Sequence, residues 1–261
     1  MVGRRRFRRG IYLLPTVFTI GNLFCGFYSL VLTFRGEFER AALMIIVAGV
    51  LDGLDGRIAR MTRTTSAFGN QFDSMADVVS FGVAPALLAY RWALLPLGRV
   101  GWLVTFLYLV CAAMRLARFN IRSSVADKRF FAGLPSPSAA GAMAALVFAF
   151  PETPPLDWAP VAVSLLVSSL GLLMVSRFRY RSFKELELGN RRSYIYVLPL
   201  AAMLVAIGIY PKGALLLFAV LYLMSAPSGY LWSFITRARS RESADARDAS
   251  GEEVVDEPAL R

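Results

Sequence analysis

Four aspartates stand where acids are costly. Asp52, Asp55, Asp73 and Asp77 fall within LDGLDGRIARMTRTTSAFGNQFDSMADVVSFG (51–82), between the apolar runs AALMIIVAGV and VAPALLAY. Asp52 and Asp55 are three apart and share a helix face. Gly69, Asp73 and Asp77, spaced by four, form a second stripe. RIARMTRTTSAF between them holds a turn, so two antiparallel helices would bring the two carboxylate faces together. Four carboxylates ionise side by side only if something neutralises them. The chain has no His, and its two cysteines, Cys25 and Cys111, lie inside apolar runs. The natural partner is therefore a hard divalent cation with oxygen ligands, Mg²⁺ or Mn²⁺. Four carboxylates have room for two such ions, and a metal pair suits phosphoryl transfer.

The small residues fit that chemistry. Gly56 and Ala59 flank Arg57, and Gly69 opens the next helix. Removing side-chain bulk lets a ligand approach the backbone. Arg60, at the polar end, could bind a phosphate bidentately. A plainer arrangement pairs the aspartates with Arg57, Arg60 and Arg63 and gives them no further task. It leaves the patterned glycines unexplained, and intramembrane ionisable groups usually serve a function.

The elements that position these residues are membrane helices. The 261 residues are 56% hydrophobic and only 18% charged, with mean hydropathy +0.53. That composition points to an all-α integral membrane protein. Apolar segments fall at about 13–34, 41–60, 70–90, 100–117, 135–150, 158–176, 194–210 and 213–235, so eight spans are expected. Pro15, Pro135 and Pro211 sit near segment starts, where a missing N–H costs little. The expected organisation is a basic cytoplasmic segment at 1–12, a membrane domain at 13–236 and a disordered cytoplasmic tail at 237–261. GRRRFRRG (3–10) resembles the charged start of a signal peptide. The apolar run after it is too long, and no small-residue cleavage site follows, so an uncleaved span is expected.

Charge sets the orientation. The net charge is +11, and most of the 29 Lys and Arg fall in alternate connections: GRRRFRRG, RIARMTR, RLARFNIRSSVADKR (115–129), RFRYRSFKELELGNRR (177–192) and RARSR. The other connections hold only Arg35, Arg40, Arg91, Arg99 and Lys212, with the acidic PETPPLD (151–157). The positive-inside rule then places both termini and the aspartate hairpin on the cytoplasmic side. The same rule accounts for the basic charge without nucleic acid, which is not an expected partner.

Asp52-x-x-Asp55-Gly56-x-x-Ala59-Arg60, eight residues, then Gly69-x-x-x-Asp73-x-x-x-Asp77 resembles the signature of the CDP-alcohol phosphotransferases at every specified position. The resemblance implies a bundle with a six-helix catalytic core, here with two further spans. It implies an enzyme that cleaves a CDP-linked donor, usually CDP-diacylglycerol, moves the substituted phosphate to an alcohol and releases CMP. Carried over, Asp52, Asp55, Asp73 and Asp77 would hold two divalent metals, with Asp77 also the general base. Gly56, Ala59 and Gly69 would make room for the cytidine nucleotide, and Arg60 would contact its phosphates. Family members often form dimers, so a homodimer is the expectation.

TIGNLFCG (19–26), DSMADVVSFGVAPA (73–86), RLARFN (115–120) and FAGLPSPSAAG (131–141) resemble the phosphatidylserine synthase branch. L-serine is then the expected acceptor. Its carboxylate needs a cation, which Arg115 and Arg118 could supply, although both also suit topology. GLPSP reads either as a rigid turn or as a loop shaping the acceptor pocket. Asn22 either lines the nucleotide pocket or bonds to a neighbouring helix. One rival is a sister enzyme using glycerol 3-phosphate or an inositol phosphate, served by Arg122, Lys128 and Arg129. The other is an ion-coupled transporter, which explains acids in a membrane but not the glycine and alanine spacing.

Overall fold

The computed structural model describes residues 3–62, 67–122, 131–153, 157–176, 179–180, 201–202 and 205–224, with the backbone alone at 3–15 and beside several gaps. Among these residues the fold is helical apart from one two-residue antiparallel pair, Phe131–Ala132 with Arg179–Tyr180. Helix α1 is Gly3–Phe34 and α2 is Phe38–Thr62. A third rod runs from α3, Ala67–Asp77, through a π-helical stretch Val78–Val83 into α4, Ala84–Ala89. It ends in a second π stretch, Tyr90–Leu94, and a 3₁₀ turn, Leu95–Leu97. Helices α5, Arg99–Arg122, α6, Ser136–Ala149, and α7, Ala159–Val175, follow. The last described helix, α8, is Pro211–Met224.

Among the described residues, three helices are long and apolar enough to cross a membrane: Thr16–Phe34, Phe68–Leu97 and Arg99–Asn120. Helix α2 has the length, about 37 Å at 1.5 Å per residue, but its last turns carry the acids and arginines of the signature. The apolar span begins at Thr16, while the helix itself extends back through the basic start of the chain to Gly3. Pro15 therefore lies inside α1 rather than at its start. Arginine is a good helix former, and an interior proline removes one backbone bond without forbidding the helix. The tail at 237–261 lies outside the described residues.

The turn between α1 and α2 is written in Arg35-Gly36-Glu37. Gly36 adopts φ +78°. Its N–H reaches Thr33 O at 3.2 Å, and the N–H of Glu37 reaches Leu32 O at 3.0 Å. This pair of bonds closes a helix through a left-handed glycine and sets α2 back against α1.

The third rod is the most buried of the three long helices, and its irregularity has a cause. Pro85 has no N–H for the carbonyl of Phe81, and its ring crowds that oxygen. The chain loosens to a π turn, in which Ala84 N–H bonds back to Val79 O. The freed Phe81 carbonyl accepts the hydroxyl of fully buried Tyr108 on α5, 3.2 Å away. A backbone group released inside a membrane protein needs such a replacement.

Close packing does the rest. Gly26 on α1 lies so near the third rod that a Cβ there would stand 2.3 Å from Ser80 Oγ. The Ser80 hydroxyl donates to Asn22 O at 2.9 Å. Helix α6 is lined with buried alanines, including Ala139, Ala140 and Ala144, which let neighbouring backbones approach. Gly133, at φ +91°, has no room for a side chain: a Cβ would meet Met174 O at 2.2 Å. With Leu134 N–H on Leu173 O at 3.0 Å, it fixes the GLPSP turn to the end of α7.

Candidate functional site

Helix α2 carries Asp52 and Asp55, and α3 carries Asp73 and Asp77. The hairpin brings carboxylate oxygens of Asp52, Asp73 and Asp77 within 4.8 Å of one another. Asp55 lies close enough to Asp52 and Asp73 to interact electrostatically with both, but its carboxylate turns toward α1, where it accepts the hydroxyl of Thr19. On the other arm, Asn22 donates its side-chain amide to Asp77 Oδ1 at 3.2 Å. Thr19 and Asn22 are three residues apart on one face of α1, and both are buried. One face of α1 thus braces one acid from each arm of the hairpin. Asn22 bonds to a neighbouring helix, the second of its two expected roles.

The acids are not neutralised by the described protein. No ion pair within 4 Å joins any of the four to a cation among the described residues, and Arg57 is exposed. Two oxygens beside the cluster, Asp55 Oδ1 and Asn22 Oδ1, are buried without a hydrogen-bond partner. Uncompensated buried carboxylates are costly, by several kcal/mol each, and orphan oxygens add to that cost. This donor set, all oxygen and mostly anionic, fits a hard divalent cation. The acidic group can therefore bind metal, and the ion-pair arrangement with Arg57 is absent.

Gly56 and Gly69 lie on α2 and α3 beside the acids, each partly buried. Ala59 and Arg60 lie on α2, but their side chains are outside the described residues, as are Arg63, Lys128 and Arg129 and the side chain of Arg122.

One cation does reach the site. Arg115 on α5 interacts electrostatically with Asp77 and Asp52 yet pairs with neither within 4 Å. Its Nη1 instead donates to Ser136 Oγ at 2.6 Å. Ser136, fully buried, opens α6 within GLPSP, so this turn is both rigid and part of the site. Arg118, one turn further along α5, makes no hydrogen bond or ion pair with the described residues. Three positions along a helix rotate a side chain by about 60° from its predecessor, enough to separate the two arginines. Asn120 in the same RLARFN run donates to Ser74 Oγ at 3.0 Å, which ties α5 to α3 next to Asp73.

Sequence reading did not find Thr19, Ser136, Ser138, Asn120 or Tyr222. Thr19, Asn120, Ser136 and Ser138 stood inside quoted motifs but carried no chemistry of their own. Tyr222 had no signal, since it is one aromatic in an apolar helix. It lies near Ser138 and interacts electrostatically with Arg115.

Residues 12–181 match the family described as CDP-alcohol phosphatidyltransferase. The CDP-diacylglycerol–serine O-phosphatidyltransferase of Helicobacter pylori strain 26695 is 38% identical over 209 residues, covering 77% of this chain and 88% of that protein. The enzyme of the same name from Bacillus subtilis strain 168 is 34% identical over 180 residues, 69% of this chain and 96% of its own. A Saccharomyces cerevisiae protein of that name is 37% identical over 140 residues, 46% of this chain and 48% of its own. An acid-bearing helical hairpin braced by a polar helix face, with the signature residues in register and most of the chain matched, leaves one assignment: the chain belongs to the CDP-alcohol phosphatidyltransferase family.

Proposed function

We propose that the protein transfers the phosphatidyl group of CDP-diacylglycerol to the hydroxyl of L-serine, giving phosphatidylserine and CMP. The observation that carries this reading is the placement of Arg115. A guanidinium held by Ser136 beside the three clustered acids, but unpaired with them, offers a fixed cation for the carboxylate of an amino-acid acceptor. The names of the similar enzymes support the same acceptor.

Asp52, Asp55, Asp73 and Asp77 would hold two divalent ions, Mg²⁺ or Mn²⁺. When bound, the ions would supply positive charge to the pyrophosphate oxygens and to the departing CMP. Asp77 is the general base. Its Oδ1 takes the Asn22 amide, which leaves Oδ2 to accept the proton of the serine hydroxyl. The serine oxygen then forms a bond to the phosphorus attached to diacylglycerol, and that phosphorus releases the oxygen of CMP. Gly56, Ala59 and Gly69 give the nucleotide room, and Arg60 binds its phosphates. Direct attack inverts the phosphorus.

The reading places the active end of the hairpin at the cytoplasmic face, where serine arrives from water and the acyl chains remain in lipid. Eight spans with both ends inside, the membrane domain at 13–236, agree with the distribution of basic residues.

The test supplies purified protein with CDP-diacylglycerol, Mg²⁺ or Mn²⁺ and one alcohol at a time, and measures CMP. Release with L-serine, and none with glycerol 3-phosphate or an inositol phosphate, is expected. Release with a phosphorylated acceptor alone overturns the acceptor. Silence with every alcohol overturns the enzyme and favours the transporter.

A further inference from the structure

The third rod grips one residue of α1 at two points. Asp77 Oδ1 accepts the side-chain amide of Asn22 at 3.2 Å. Three positions further along, in the π stretch that begins directly after Asp77, Ser80 Oγ donates to the main-chain carbonyl of the same Asn22 at 2.9 Å. Asn22 and Ser80 are fully buried. The donors run in opposite directions: α1 gives one to the acid, and the rod gives one back to α1. In an α-helix the carbonyl of residue 22 already takes the N–H of residue 26, and its second lone pair can accept again. Residue 26 is glycine. A Cβ there would stand 2.7 Å from Ser80 Cα and closer still to Ser80 Oγ, so a larger residue would push the hydroxyl off the carbonyl. Small residues and interhelical hydrogen bonds together are the usual way in which membrane helices are joined closely. The Asn22 amide is tethered at one end only, since its Oδ1 is buried with no hydrogen-bond partner among the described residues. Its aim at Asp77 therefore depends on where the α1 backbone sits against the rod.

We infer that Ser80 is a positioning residue for the transfer reaction: its bond to the Asn22 carbonyl fixes the α1 backbone against the third rod and so keeps the Asn22 amide on Asp77. The inference rests on the reaction proposed above, in which Asp77 is the base. Ser80 acts on that acid only through Asn22. The Asn22 amide occupies Asp77 Oδ1 and leaves Oδ2 for the proton of the acceptor. A slip of α1 would release the amide and let the carboxylate turn, and a misdirected base slows the chemical step without changing which molecules bind.

A competing role is packing: Ser80 simply ties two helices together. Asn22→Ala separates the two roles, because it removes the amide and leaves the main-chain carbonyl to which Ser80 bonds. The experiment is a double-mutant cycle of Ser80→Ala and Asn22→Ala. It reads serine-dependent CMP release well below the thermal midpoint, and the midpoint itself. Ser80→Ala alone is expected to lower kcat about three- to tenfold, the weight of one hydrogen bond. The KM values for serine and CDP-diacylglycerol should hold. In the Asn22→Ala background, Ser80→Ala should lower kcat no further. The midpoint should fall equally in both backgrounds, since the bond to the carbonyl is lost in each. A kcat loss by the same factor in both backgrounds makes Ser80 a packing residue and overturns the inference. A raised KM with normal kcat overturns it too. If Ser80→Ala does not fold, Ser80→Cys keeps the shape, weakens the donor and is read by the same criteria. No serine-dependent release by the unaltered protein sinks the reaction and this inference with it. Release with an unchanged kcat in Ser80→Ala sinks the inference alone.

Discussion

Asn22 on α1 donates its amide to Asp77 on α3 across 3.2 Å, inside the bundle and fully buried. Nothing near in sequence connects them. Asn22→Ala removes the donor and leaves the carboxylate to find its own orientation. A hydrogen bond to a charged group contributes about 1.5–3 kcal/mol, so kcat should fall about 10- to 100-fold. The serine KM should change little, because Asn22 bonds to Asp77 while Arg115 bonds to Ser136. A large rise in KM with normal kcat would assign Asn22 to binding instead.

Asp77→Asn should abolish CMP release while the protein still inserts in the membrane. Retained activity would remove Asp77 from the role of base. Asp52→Asn should also silence the enzyme, but for another reason, and Mn²⁺ binding followed by electron paramagnetic resonance distinguishes the two: binding should weaken in the variant even when no substrate is present. Chelation of the unaltered protein should stop turnover, and added Mg²⁺ or Mn²⁺ should restore it.

Ser136→Ala takes away the acceptor that Arg115 uses at 2.6 Å. The guanidinium is then free to fall onto Asp77 or Asp52, where a carboxylate pulls harder than a hydroxyl. The serine KM should rise and the Mn²⁺ affinity should drop together. An unchanged Mn²⁺ affinity would mean that something other than Ser136 holds Arg115 away.

Gly26→Ala should destabilise the protein by about 1–3 kcal/mol, since the added methyl meets Ser80 side chain and backbone at once. Thermal unfolding in detergent checks it. Gly141→Ala is the control: that site is open and helical, and alanine favours a helix.

The acidic cluster was legible because helix periodicity is local. Spacings of three and four put Asp52 with Asp55 and Asp73 with Asp77, and the turn between them did the rest. Of the braces from α1, Asn22 was legible as a polar residue with a partner on another helix, but not that the partner is Asp77, and Thr19 was not legible at all, since both meet the acids only through tertiary packing. The sequence offered Arg115 and Arg118 as equals, and only the rotation of α5 against α6 separates them. Helix counts by hydropathy located the segments well, from 41–60 to 158–176. They ended the third segment at residue 90, whereas the rod runs on to Leu97, and they gave no sign of the π turn that absorbs Pro85. The backward extension of α1 to Gly3 was invisible because charge was read as a segment border, while arginine itself is content in a helix.

The polar contacts around the aspartates join residues 19, 22, 55 and 77, whereas the contact that holds Arg115 waits for Ser136. A ribosome makes the chain in one direction. The carboxylate cage and its brace can close while most of the protein is still unmade. The contact that holds Arg115 forms only once α6 has been made. A chain halted before α6 would thus have its acids braced and its guanidinium unheld.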